Sequence, residues 1–105
     1  MKKAVVFGLG HFGASVAEAL YEAGVEVLAI DSDSQLVNDI KDHVSVAVSL
    51  DATTPENLER FAIGEMDVAV IAMGTNFESA VMVTLLCKEL GARKIVSKAL
   101  TLRQR

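Results

Sequence analysis

At 105 residues the chain has room for one small domain with a modest core. With 51% hydrophobic and 23% charged residues it is not a disordered chain, and a net charge of −4 with both signs interspersed and no basic stripe argues against a nucleic-acid partner. The apolar residues come in short runs well below membrane-spanning length, and the four behind Met1-Lys2-Lys3 are too few for a signal peptide.

Lys3 to Phe7 reads as a first strand, and it runs straight into Gly8-Leu9-Gly10-His11-Phe12-Gly13. In a strand–turn–helix setting this G-x-G-x-x-G pattern has a physical purpose. Gly8 permits the tight turn, Gly10 lets backbone approach a pyrophosphate, and Gly13 lets the next helix pack on the strand. That helix is expected over His11 to Ala23, with Phe12, Val16, Ala19 and Leu20 on one side and Gly24 just past its end. Val25 to Ile30 reads as the second strand and ends in Asp31, about 20 residues beyond the glycines, where a carboxylate accepts hydrogen bonds from ribose hydroxyls. The same carboxylate repels a 2′-phosphate and disfavours NADP.

Ser32 or Asp33 caps a second helix whose apolar face is Leu36, Val37 and Ile40, and Val44 to Val48 is the third strand. After the loop Leu50-Asp51-Ala52-Thr53, Thr54-Pro55-Glu56 opens a short helix held down by Leu58, Phe61 and Ile63 and ended by Gly64. Asp67 to Ala72 reads as a strand covered on both faces. Met73-Gly74-Thr75-Asn76 follows as a loop, Phe77 to Leu90 as the longest helix, Gly91 as its stop, and Lys94 to Ser97 as the fifth strand. From Ala99 the sequence reads as the start of a further helix. Cys87, the sole cysteine, excludes an intrachain disulfide, favours a cytosolic setting and reads as a small buried hydrophobe.

Strands and helices in strict alternation with short connections call for an α/β fold: a Rossmann-like, doubly wound parallel sheet of five strands in order 3-2-1-4-5. The loops after the first four strands then converge on the switch point between strands one and four. Asp31 is the ribose candidate there, while Asp33 reads as an ordinary helix cap. His11, at a helix N-terminus, admits two readings: a hydrogen-bond donor to phosphate, or an exposed helix-start residue. Asp51-Ala52-Thr53 would lie beside a base, or serve only as a helix-entry loop. Gly74 would let backbone come close to a ligand, and Asn76 reads as a ribose contact or an N-cap. Glu78 and Lys98 form a candidate charged pair. No Ser-His-Asp arrangement, metal-ligand spacing or substrate-facing acid–base pair is legible, which favours a binding module over an enzyme. The alternative is the cofactor lobe of a small NAD-dependent dehydrogenase.

Five segments in order carry a resemblance: Val5 to Gly13, Val27 to Asp31, Leu50 to Thr53, Val70 to Gly74 and Leu85 to Gly91. Together they resemble the RCK/KTN (TrkA-N) regulatory domain of bacterial and archaeal potassium channels and transporters. The Phe12-Gly13 ending looks most like the cytosolic subunits of Ktr-type systems. The resemblance implies a domain that binds NAD(H), ATP or ADP without turning it over. It further implies homodimers assembling toward an octameric ring, a potassium-translocating membrane subunit as partner, and a cytoplasmic location at the inner face of the membrane. Carried over by position, Gly8, Gly10 and Gly13 would face the phosphates and Asp31 the ribose. Asp51 and Ala52 would border the base, Met73, Gly74 and Asn76 the opposite wall, and Lys98 the phosphates or a dimer contact. His11, Phe12 and Ser32 complete the cofactor-binding candidates. His11 stands where many Ktr-type members have an arginine that reaches a terminal phosphate. A histidine is shorter and mostly neutral at pH 7, which bears on the choice between ATP and ADP or NAD. The family pattern also continues past Arg105 with a last strand and a C-terminal subdomain, so residues 1–105 are expected to be a single nucleotide-binding lobe, cut short.

Overall fold

The computed structural model describes residues 2–74 and 76–98. Their element order is β1 (Lys3–Phe7), α1 (His11–Glu22), β2 (Glu26–Asp31), α2 (Ser34–Ile40), β3 (Val46–Ser49), α3 (Pro55–Glu59), β4 (Val68–Ile71), α4 (Phe77–Glu89) and β5 (Ile95–Ser97). Single 3-10 turns lie at Lys41–His43 and Ile63–Glu65. The five strands are parallel in the order β3-β2-β1-β4-β5, as the alternating pattern predicts. Ala99 onward and Thr75 lie outside the described residues.

The sheet is apolar on both faces because helices cover both. Val5, Phe7, Leu28, Ile30, Ala69 and Ile71 pack against Leu58 of α3 and Val83, Leu86 and Cys87 of α4. On the other face Val6, Val27, Ala29 and Val70 meet Ala17 of α1 and Val37 and Ile40 of α2. Burying a side chain such as Phe7 or Ile30 contributes about 1.5–3 kcal/mol, so these two layers supply most of the stabilisation. Cys87 is fully buried, and burial pushes its thiol up to about 11, as suits a small hydrophobe.

Three local expectations shift for identifiable reasons. The buried face of α1 is Gly13 and Ala17, while Phe12 and Ala19 are exposed and Val16 and Leu20 half-buried. The helix lies too close to the sheet for larger residues there: a Cβ at Gly13 would sit 1.7 Å from the Gly8 carbonyl oxygen. β3 begins at Val46 rather than Val44, because Lys41–His43 closes a 3-10 turn and Val44 is buried on the α2 side. The Ser45 hydroxyl accepts the Val27 N–H at 2.9 Å just before the strand ladder starts. Finally, α3 ends at Glu59, and Gly64 sits in a separate 3-10 turn instead of ending the helix. A Cβ at Gly64 would meet the Leu90 carbonyl oxygen at 2.7 Å, so close packing on the end of α4 is what requires glycine there.

Candidate functional site

The loops after β1, β2, β3 and β4 meet at one end of the sheet around a crevice of about 210 Å³. Phe7, Gly8, Ile30, Asp31, Ser32, Leu50, Asp51, Ala52, Thr53, Met73, Asn76 and Ser79 line it. That volume is below the usual range for a whole ligand pocket, roughly 300–1,000 Å³, and suits one part of a nucleotide with the remainder lying outward.

The first wall is the glycine turn. Gly8 adopts φ +96°, a left-handed conformation open to glycine, and donates its N–H to the Ile30 carbonyl at 2.9 Å. A Cβ at Gly8 would also strike the Ala72 carbonyl oxygen at 2.4 Å. Gly10 is different, since a Cβ there would meet nothing within 4 Å. Its surface is open, which is the condition for close approach of a phosphate to backbone. Gly13 is buried against Gly8 and serves the packing of α1. His11 and Phe12 are exposed at the start of α1, beside the turn and outside the crevice lining. The α1 N-terminus carries no side-chain cap, so its first amides face outward with the positive end of the helix dipole.

The second wall is Asp31, half-buried at the end of β2. Its Oδ2 accepts the Leu9 N–H at 2.7 Å and its Oδ1 accepts the Asp33 N–H at 2.8 Å. Each oxygen keeps a lone pair for a further donor, an arrangement suited to a pair of neighbouring hydroxyls and hostile to a phosphate. Ser32 lines the crevice and accepts the Ser49 hydroxyl on its carbonyl at 3.3 Å. Asp33 caps α2 by accepting the Gln35 N–H at 2.9 Å.

The third wall follows β3. Asp51 is exposed, and its Oδ1 accepts both the Thr53 hydroxyl at 2.6 Å and the Thr53 N–H at 2.9 Å. These two bonds, the hydroxyl foremost, hold the Asp51 carboxyl below the usual carboxylate range. Asn57 donates to the Asp51 carbonyl at 2.9 Å, a further bond that braces the loop. Ala52 is buried in the α3–α4 side core and reaches the crevice from beneath. Thr54 makes no side-chain cap on α3; the Asp51–Thr53 turn orders that helix entry instead.

The fourth wall follows β4. Met73 is half-buried and lines the crevice, whereas Gly74, at φ +61°, is exposed beyond it. Asn76 does two things at once: its Oδ1 accepts the Ser79 N–H at 3.1 Å as the α4 cap, and it lines the crevice. Lys98 lies elsewhere. Its Nζ sits 5.2 Å from the centre of the Phe12 ring, a cation–π contact, and the expected Glu78–Lys98 pair is not among the ion pairs of the described residues. Lys98 instead rims an apolar groove of about 270 Å³ with Phe77, Ala80, Val81 and Leu85.

The fold thus brings Gly8, Asp31, Ser32, Asp51, Ala52, Met73 and Asn76 to one crevice, with Gly10, His11 and Phe12 beside its turn. Thr53, read with Asp51 and Ala52 as lying beside a base or serving as a helix-entry loop, lines it as well, and so do Phe7, Ile30, Leu50 and Ser79, which were not site candidates. Ser79 was accessible in principle, since it sits three residues past the N-cap Asn76. Among the described residues no helix is long and apolar enough to cross a membrane, and no cluster of three or more His, Cys, Asp or Glu side chains could hold a metal.

The family model for the TrkA-N domain matches residues 4–104. The chain is 40% identical over 98 residues to Ktr system potassium uptake protein C of Bacillus subtilis, and 36% identical over 98 residues to protein A of the same organism. Both matches cover 93% of this chain and 44% of the relative, so the chain spans less than half the length of these proteins. Among solved structures, the NAD(P)-binding domain of an exopolyphosphatase-related protein from Archaeoglobus fulgidus superposes with a TM-score of 0.71 at 18% identity. That superposition covers 93% of this chain and 89% of the other, and it supports the fold alone.

Proposed function

The chain belongs to the TrkA-N family, and from that premise we propose that it is a regulatory nucleotide-binding module: it senses NAD(H) or ATP/ADP and gates a potassium channel or transporter. The observation that carries the reading is the Asp31 carboxylate at the end of β2, one lone pair free on each oxygen, facing a crevice closed by the glycine turn. A ribose diol would donate to those oxygens, phosphates would lie along Gly10 and the first amides of α1, and the base would rest near Asp51 and Ala52. Met73 and Asn76 would form the opposite side, and Lys98 would act near Phe12 at a protomer contact.

Residues 1–105 would form the nucleotide-binding lobe of a regulator whose copies pair and assemble toward an octameric ring on a potassium-translocating membrane subunit, at the cytoplasmic face. Support for assembly comes from α4, where Phe77, Val81, Met82 and Leu85 are all exposed. A ligand moves such a gate only by its difference in affinity for two assembly states. The Ktr proteins it resembles are named for potassium uptake, which is why the partner is placed in that class.

Calorimetric titration with NAD⁺, NADH, ATP, ADP and AMP tests the reading, with sedimentation of the free and loaded protein alongside. Saturable binding of at least one nucleotide, together with a nucleotide-dependent change in self-association, is expected. Hydride transfer by the protein, or a monomer at high micromolar concentration with and without nucleotide, would overturn it.

A further inference from the structure

The Asp31 carboxylate is not waiting idle for a ligand. Its Oδ2 already holds the N–H of Leu9, a residue 22 positions away in the chain and the second residue of the glycine turn. Leu9 stands between two glycines, the least self-defined stretch of backbone in the molecule. It is fixed from two sides. Its side chain is buried in the α1-side core, and its amide is held by the carboxylate at 2.7 Å. The amides that follow, at Gly10, His11 and Phe12, have no acceptor among the described residues, and their direction depends on the Leu9 peptide.

We propose that Asp31 is a positioning residue for the phosphate turn: through the Leu9 amide its carboxylate aims the Gly10–Phe12 amides at a phosphate, in addition to facing the ribose. This rests on the nucleotide reading of the crevice. A charged acceptor makes the stronger bond, and two N–H donors, from Leu9 and Asp33, converge on this one side chain. An asparagine offers a single acceptor oxygen to those two donors, so one of them loses its partner.

The proposal has a sign that a ribose contact lacks. A carboxylate beside the turn repels phosphate, so neutralising it strengthens polyphosphate binding if Asp31 acts only on ribose. If Asp31 sets the turn, neutralising it weakens polyphosphate binding.

The experiment titrates the protein and its Asp31→Asn variant with inorganic tripolyphosphate, adenosine and ATP, and follows amide hydrogen exchange by NMR without ligand. In the variant, tripolyphosphate is expected to bind about tenfold more weakly. Leu9 exchange is expected to quicken about tenfold, while the Gly8 amide, bonded to Ile30, keeps its protection. Tripolyphosphate affinity that is unchanged or tighter overturns the proposal, whatever adenosine does. Should Asp31→Asn fail to fold, Asp31→Glu keeps the charge and moves the carboxylate by one methylene. Weaker tripolyphosphate binding is again expected there, and unchanged binding overturns the proposal. If the unmodified protein binds none of the three ligands, the nucleotide reading falls and the phosphate role with it, while Leu9 exchange still reports whether the clasp between β2 and the turn exists.

Discussion

The crevice and the outer face of α4 share one helix yet are completed in different ways. At its start, Asn76 and Ser79 belong to a crevice whose loops are tied by side chain to backbone bonds: Leu9 to Asp31, Thr53 to Asp51, Ser79 to Asn76. Along its outer side, Phe77 is 60% exposed and Leu85 52%, with Val81 and Met82 close behind. The crevice is braced by its own side-chain to backbone bonds. The α4 face has apolar area left over that the described residues leave exposed. The polar region is braced by its own bonds, and the apolar one is where the proposed association would be made.

The sharpest way to break that contrast is to make one change at two glycines of the same turn. Gly13→Ala forces a Cβ to within 1.7 Å of the Gly8 carbonyl, a backbone atom that has no room to move. A loss of about 3 kcal/mol or more in chemical denaturation is expected, with binding lost as well. Gly10→Ala enters open space at an ordinary φ of −69°, so stability should stay within about 0.5 kcal/mol while nucleotide affinity falls by roughly tenfold or more. Equal effects at the two positions would erase the distinction between packing glycine and approach glycine.

Asp31→Ala comes next. It should weaken every ligand with a free ribose diol by about 1.5–3 kcal/mol in calorimetry, the worth of hydrogen bonds to a charged group. Leu85→Asp, on the other side of the comparison, should abolish self-association in sedimentation while nucleotide affinity and unfolding free energy move by less than about 0.5 kcal/mol. A large loss of nucleotide affinity there would mean that the two regions are not separable.

The smallest effect is the dependence of stability on acid. Asp51, held by Thr53, and Asp67, held chiefly by the Lys3 N–H at 2.8 Å, both titrate below the usual carboxylate range in the folded protein. A depressed folded value contributes stability that is fully present above the ordinary carboxylate pKa and is lost as pH falls through the lowered one. The melting temperature should therefore be flat near neutrality and decline on the acid side. Thr53→Val should flatten that decline, and the Asp51 carboxylate, followed by NMR, should move back toward its usual range.

How much of this was legible in the sequence divides along the same line. β1 fell where its apolar run put it, and the strand order followed from alternation with short connections. Asp31, Asp51 and Asn76 could be placed at the crevice because a strand end, the loop just past one, and a helix cap are local properties. What stayed hidden was tertiary. Phe12 reads as a buried face residue by helical spacing, and only the close approach of α1 to Gly8 turns it outward to Lys98. The Leu9–Asp31 bond joins the glycine turn to the end of β2, far apart in sequence, and no spacing rule announces it. The 3-10 turn at Lys41–His43, which delays β3, and the Ser45 bond to the Val27 N–H have no periodic signature. Lys98, expected beside Glu78, was taken instead by an aromatic ring.

The central claim is that this crevice reads a ribose diol through Asp31. Calorimetric comparison of AMP with adenosine 2′,5′-bisphosphate isolates that contact, since the two differ by one phosphate at the position Asp31 would face. Saturable binding of AMP is predicted, with the bisphosphate weaker by roughly tenfold or more. Equal or tighter binding of the bisphosphate would contradict the claim.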